Sequence, residues 1–140
     1  MMIGEEKMKK RIWSLAAAAT LLLAGCGSSR KPEHTYRQIT QEEAAKLMAE
    51  QSDYLLLDVR TQAEFDQAHI PGALCIPNET IGTDEIPALP DKNQLILVYC
   101  RSGNRSKQAA EKLAQLGYTN IVEFGGINTW TGETVSGSEG

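Results

Sequence analysis

Histidine is scarce in this chain of 140 residues, with two, and cysteine nearly so, with three. Neither falls at a metal-ligand spacing, so neither a metal centre nor a cofactor is expected. Three is an odd number, so any disulfide would leave a thiol over. A basic stripe is also missing. The formal net charge is −4, and residues 1–25 hold four of the basic side chains against two acids, so the remainder carries 10 basic against 16 acidic groups. An acidic body excludes nucleic acid as the expected partner, because phosphate neutralisation dominates that affinity. No apolar run is long enough to cross a bilayer: the longest, Ile12 to Ala24, spans about 13 residues where ~20 are needed. Internal repeats are absent, and the length suits one domain.

The N-terminal 25 residues have the order of a targeting segment. Bases end at Arg11, the apolar run follows, and small residues close it at Leu23-Ala24-Gly25-Cys26. Met8-Lys9-Lys10-Arg11 begins a more conventional signal than Met1 does, because it lacks Glu5 and Glu6. The closing four residues resemble the bacterial lipobox. That resemblance implies cleavage before Cys26 and a lipidated Cys26, hence a cell-membrane anchor facing the extracytoplasmic side, at a bacterial surface or in a periplasm. Two or more acyl chains hold a protein stably where one does not. The expected organisation is a cleaved signal at 1–25, a lipid-anchored tether at 26–36, a folded domain at 37–131 and a flexible tail at 132–140. The tether is small and polar, with a reach of roughly 18 Å over about ten residues.

Strands and helices alternate within the domain. Thr40-Gln41-Glu42-Glu43 and Thr61-Gln62-Ala63-Glu64 are capping boxes, so helices are expected over about 41–50 and from 62 to near Ala68. Tyr54–Val59 and Leu95–Tyr99 are continuous apolar runs, read as strands buried on both faces. Ala73–Ile76 and Asn120–Phe124 read as further strands. Ser106–Leu116 reads as a helix with Gly117 as its stop. Such alternation predicts an α/β fold on a parallel sheet.

Cys100 follows the strand Leu95–Tyr99 directly, and Arg101-Ser102-Gly103-Asn104-Arg105 leads from it into a helix. Sites in open parallel sheets form beyond the carboxyl ends of strands. Free N–H groups and the dipole at a helix start favour an anion there. Small residues let the loop curl its amides inward. Together with Arg101 and Arg105, these features favour thiolate over thiol, so Cys100 is the candidate nucleophile.

Residues 100–106 resemble the active-site loop of the rhodanese family. Leu57-Asp58-Val59-Arg60 with Glu64-Phe65 resembles a second stretch of that family. His69-Ile70-Pro71-Gly72-Ala73 with Ile76-Pro77 resembles a third, and Gly117-Tyr118, Gly125-Gly126 and Trp130 a fourth. Four matches in order cover roughly 37–131. The resemblance implies a five-stranded parallel sheet flanked by helices on both faces. It further implies a sulfurtransferase in which Cys100 takes a sulfane sulfur from a thiosulfate-like donor as a persulfide and yields it to a thiol or cyanide. A protein sulfur acceptor or reductase would be its partner. A carrier that holds the persulfide for a protein, with little turnover, is the alternative; an inactive scaffold is disfavoured by the intact loop. Four residues separate Cys100 from Arg105, against five in the phosphatases that share this fold. The shorter loop therefore suits a sulfur atom better than a tetrahedral oxyanion.

Other residues divide between scaffold and chemistry. Asp58 is expected to support the loop or pair with an arginine. Arg60 suits either substrate-anion binding or a structural ion pair. Glu64 is accounted for by its capping box, and His69 by a turn. Phe124 and Trp130 read as core, and Cys75 as a small core residue rather than a resolving thiol. Asn78-Glu79-Thr80 and Asn104-Arg105-Ser106 match a glycosylation pattern that a bacterial lipoprotein would not use.

Overall fold

A computed structural model describes residues 35–138. The expectations for the signal segment, Cys26 and nearly all of the tether lie outside the described residues, as do the last two positions of the tail. Five strands form one all-parallel sheet: β1 (Arg37–Gln38), β2 (Tyr54–Asp58), β3 (Leu74–Cys75), β4 (Leu95–Cys100) and β5 (Ile121–Gly126). Their order is β1-β5-β4-β2-β3. The continuous apolar run 95–99 becomes β4, central and buried along its whole length.

Helices cover both faces. Helix α3 (Asn104–Gln115) lays Ala109, Ala110 and Leu113 against Leu57, Val59, Ile96, Val98 and Ile121. On the opposite face, Ala44 of α1 (Gln41–Glu50) and Phe65 of α2 (Gln62–Gln67) pack with Leu56, Leu97, Tyr99, Val122 and Phe124. Successive β4 side chains alternate between these cores, as strand geometry requires. Cys100 therefore points to the α3 side and Tyr99 to the other.

Both capping boxes form as read: Thr40 with Glu43, and Thr61 with Glu64. The five strands are those the resemblance implied, one of them without a local signal, and two expectations need correction. Strand β1 was invisible to pattern reading, because it is two exposed residues held by pairing to Val122 and Glu123. Helix α3 starts at Asn104, two residues before the expected Ser106, so Asn104 and Arg105 belong to its first turn and not to the loop. The cause is Gly103, whose φ of +107° lets the chain turn into the helix at once. The tail from Gly132 is also not free throughout. Val135 and His69 exchange two backbone hydrogen bonds of 2.8 Å, and the Gly137 amide donates to Asp66 O at 2.8 Å. Glycine and serine content signals chain entropy but not the edge partners that offset it.

Candidate active site

The loop 101–103 runs from the end of β4 to the start of α3. Its shape is set by a close approach. A Cβ on Gly126 would run into the Arg101 carbonyl and the Ser102 amide nitrogen, so only glycine fits there. The Arg101 carbonyl also accepts the Asn128 amide at 3.1 Å. Gly125 and Gly126 reach this position through a register irregularity between β4 and β5, at Val98/Cys100.

Cys100 is 1% exposed. The Gly103 amide points at its Sγ from 3.0 Å, and the Ser106 hydroxyl lies 3.4 Å away. One inward amide at the start of a 12-residue helix is the beginning of an anion cradle around the sulfur. Ser106 is itself buried, and its hydroxyl donates to Glu123 Oε1 at 2.8 Å. Glu123 is a buried carboxylate that also accepts from the Gly125 amide at 2.9 Å and from Gln38 Nε2 at 3.3 Å. Composition and motifs pass Glu123 by. The available signal is a lone charge inside the apolar run Ile121-Val122-Glu123-Phe124, where an acid must be paired to be buried.

Arg105 does not close over the sulfur. Its Nη1 and Nη2 donate to Glu64 Oε2 and Oε1 at 2.7 and 2.9 Å, a bidentate pair between α3 and α2. These hydrogen bonds, with lesser help from Thr61, hold the Glu64 carboxyl down to about 2. Glu64 thus has a second task beyond its capping box. Arg105 still feels the charge of Cys100, as one of the influences that raise its own pKa.

Arg60 resolves toward the ion pair. Asp58, fully buried, accepts its Nε at 2.9 Å and its Nη2, and Nη2 also donates to Ala68 O at 2.6 Å. The guanidinium rests 5.9 Å from the Tyr99 ring centroid. Asp58 is therefore tied to arginine and not to the loop. Tyr99 in turn receives the Ile70 amide on its hydroxyl at 3.0 Å, which fixes the turn at 69–73. Arg60, Glu64 and exposed Arg101 border a cleft of about 340 Å3 closed by Ile127 and Asn128. A larger cleft of about 520 Å3, between the start of α1 and Trp130, holds neither cysteine nor histidine.

Cys75 lies on β3, separated from β4 by β2. Two strand spacings are about 9.6 Å, beyond disulfide reach. Burial, then the charge of Asp58, push its thiol up to about 11. His69 is buried, stacked on Phe65 at 3.7 Å, with Nδ1 against Phe65 O at 2.8 Å. It bridges to Val135 just ahead of the Pro71–Gly72 turn.

A buried cysteine at the end of the central strand, beneath an inward amide and before a helix, defines the class: a parallel α/β protein with its candidate site at the carboxyl end of the sheet. The chain belongs to the family of the rhodanese-like domain, whose model matches residues 40–133, and it is an enzyme of the rhodanese type. It is 39% identical over 71 residues to the thiosulfate sulfurtransferase PspE of Escherichia coli, covering 51% of this chain and 68% of that protein. A sulfurtransferase of Allochromatium vinosum is 41% identical over 96 residues, 66% of this chain and 86% of its own. Among solved structures, a rhodanese with anions from E. coli superposes with a TM-score of 0.55 at 36% identity, over 60% of this chain and 99% of that one.

Proposed function

We propose that this protein moves a sulfane sulfur from thiosulfate, or a donor like it, to a thiol or cyanide through a persulfide on Cys100. The observation that carries the reading is the Gly103 amide at 3.0 Å from Sγ, at the mouth of α3. The thiolate attacks the outer sulfur of the donor. A sulfur–sulfur bond forms, the donor's own sulfur–sulfur bond breaks, and sulfite leaves with its electron pair. The persulfide is anionic and sits where the amide and the helix start favour negative charge. An acceptor thiolate or cyanide then takes the terminal sulfur and returns Cys100 to thiolate. Arg101 suits the sulfonate end of thiosulfate, because it is exposed at the cleft that borders the loop.

Steady-state turnover with a panel of donors and acceptors tests this. Turnover on thiosulfate that is abolished in Cys100→Ser supports the enzyme. A stable persulfide with negligible turnover on every small acceptor would favour the carrier. The same reading includes an extracytoplasmic lipid anchor at Cys26, supported by Leu23-Ala24-Gly25-Cys26 behind the apolar run. Mass spectrometry of membrane-extracted protein should find a diacylglyceryl-modified Cys26 as the first residue. An unmodified N-terminus upstream of it would contradict the anchor.

A further inference from the structure

Ser106 has one hydroxyl proton and several claims on it. Glu123 Oε1 lies at 2.8 Å, Gly103 O at 3.0 Å and Gly125 O at 3.4 Å, while Cys100 Sγ stands 3.4 Å from the same oxygen. The carboxylate is the nearest acceptor and the one with a formal charge, so it takes the proton. Ser106 then turns lone pairs toward the sulfur. In that orientation it accepts the S–H of a neutral thiol and offers nothing to a thiolate. The two contacts share one oxygen, so the carboxylate lies no more than about 6 Å from Sγ.

Opposite devices therefore meet at one atom. The Gly103 amide and the start of α3 favour an anion. Arg105 is the cation that senses Cys100, and it is shared with Glu64. Glu123 and Ser106 oppose the anion. Around Glu123 itself stand Gln38 of β1 and Tyr36, whose hydroxyl also feels Glu123 and Glu111.

We propose that Glu123 is a positioning residue that acts on Cys100 through Ser106: by claiming the hydroxyl proton it turns the Ser106 oxygen, and not its O–H, toward the sulfur, and so restrains the reactivity of the empty cysteine. This bears on the sulfur-transfer reading, because the empty cysteine is the form that must attack the donor. The reactivity claim itself does not depend on sulfur chemistry. A full charge about 6 Å from a sulfur, at an effective dielectric of about 20, can change the ease of forming an anion there by about tenfold or more. A thiolate that is easier to form is also a weaker nucleophile, with a Brønsted coefficient of about 0.4–0.5. Removing the charge should thus give about threefold faster reaction at low pH and about threefold slower reaction on the alkaline plateau.

The test is the rate of Cys100 alkylation by iodoacetamide from pH 6 to pH 10, followed by mass spectrometry, for wild type, Glu123→Gln and Ser106→Ala. Glutamine keeps an oxygen for Ser106 and Gly125, and the Gln38 amide can turn to meet its nitrogen. Profiles that cross, with Glu123→Gln about threefold faster near pH 6.5 and slower at pH 10, are the expected result. Ser106→Ala should shift the same way by less, since the charge stays. A profile that superposes on wild type, or one lowered equally at every pH, overturns the inference. Should Glu123→Gln fail to fold, an unshifted Ser106→Ala profile overturns it too. Wild-type protein that is alkylated at Cys100 but gains no sulfur from any donor would refute the proposed function and leave this inference standing.

Discussion

Changing Glu64 to glutamine isolates the Glu64–Arg105 clamp, because glutamine at that helix position can still complete the capping box with Thr61. The carboxyl is held at about 2 against an ordinary value of 4.5, first by the Arg105 hydrogen bonds and then by those from Thr61. At about 1.4 kcal/mol per unit the shift has a ceiling of about 3 kcal/mol. Side-chain exposures of 31% for Arg105 and 22% for Glu64 leave solvent to screen the pair. A contribution of about 1–2 kcal/mol is the realistic figure. The folded state holds the group more acidic than the unfolded chain does. Its contribution is therefore complete above about pH 4.5 and is lost as pH falls through about 2. Urea unfolding at a series of pH values should find Glu64→Gln less stable by about 1–2 kcal/mol at pH 7, with the gap closing toward pH 2. Combining it with Arg105→Ala should give a coupling energy of about 1 kcal/mol. A gap that stays constant from pH 7 to pH 2, or a coupling under about 0.3 kcal/mol, would refute the clamp.

Further outcomes follow from the same geometry. Arg105→Ala should slow turnover about tenfold or more by releasing the first turn of α3, while Lys107→Ala, farther along that helix, should change it little; equal rates would contradict the assignment. Gly126→Ala should remove activity while the helical signal in circular dichroism persists, since the new Cβ collides with the Arg101–Ser102 peptide; an active variant would show that the approach is not required. Cys75→Ser should keep full activity, and iodoacetamide at pH 7.5 should label Cys100 and spare Cys75, whose thiol is pushed up to about 11. Truncation after Gly132 should cost at least about 1 kcal/mol in urea unfolding, because it removes the two hydrogen bonds between Val135 and His69 and the one from Gly137 to Asp66.

Local signals carried most of the fold. Two capping boxes and two continuous apolar runs place α1, α2, β2 and β4 within a residue or two, because each is decided by neighbours in sequence. Strand β1 and the Val135 bridge were illegible for the opposite reason: each is an exposed segment whose only merit is a partner about 66 to 85 residues away. At the site, the candidate nucleophile Cys100 is readable from strand, small residues and helix in succession. Its electrostatic setting is not. By sequence Arg105 reads as a substrate ligand, but Glu64 of α2 occupies it. Arg60 could have met a substrate anion, but the Asp58 carboxylate is already there. Glu123 carries no motif, and only the pairing of β5 with β4 brings it under Ser106.

In the proposed reaction the sulfur travels on Cys100. Incubation of the protein with thiosulfate, followed by mass spectrometry of peptides under non-reducing conditions, puts this to the test. One added sulfur, about 32 Da, is expected on Cys100, released as thiocyanate when cyanide is added and absent from Cys100→Ser. Sulfur found on Cys75 instead, or full turnover without Cys100, would contradict it.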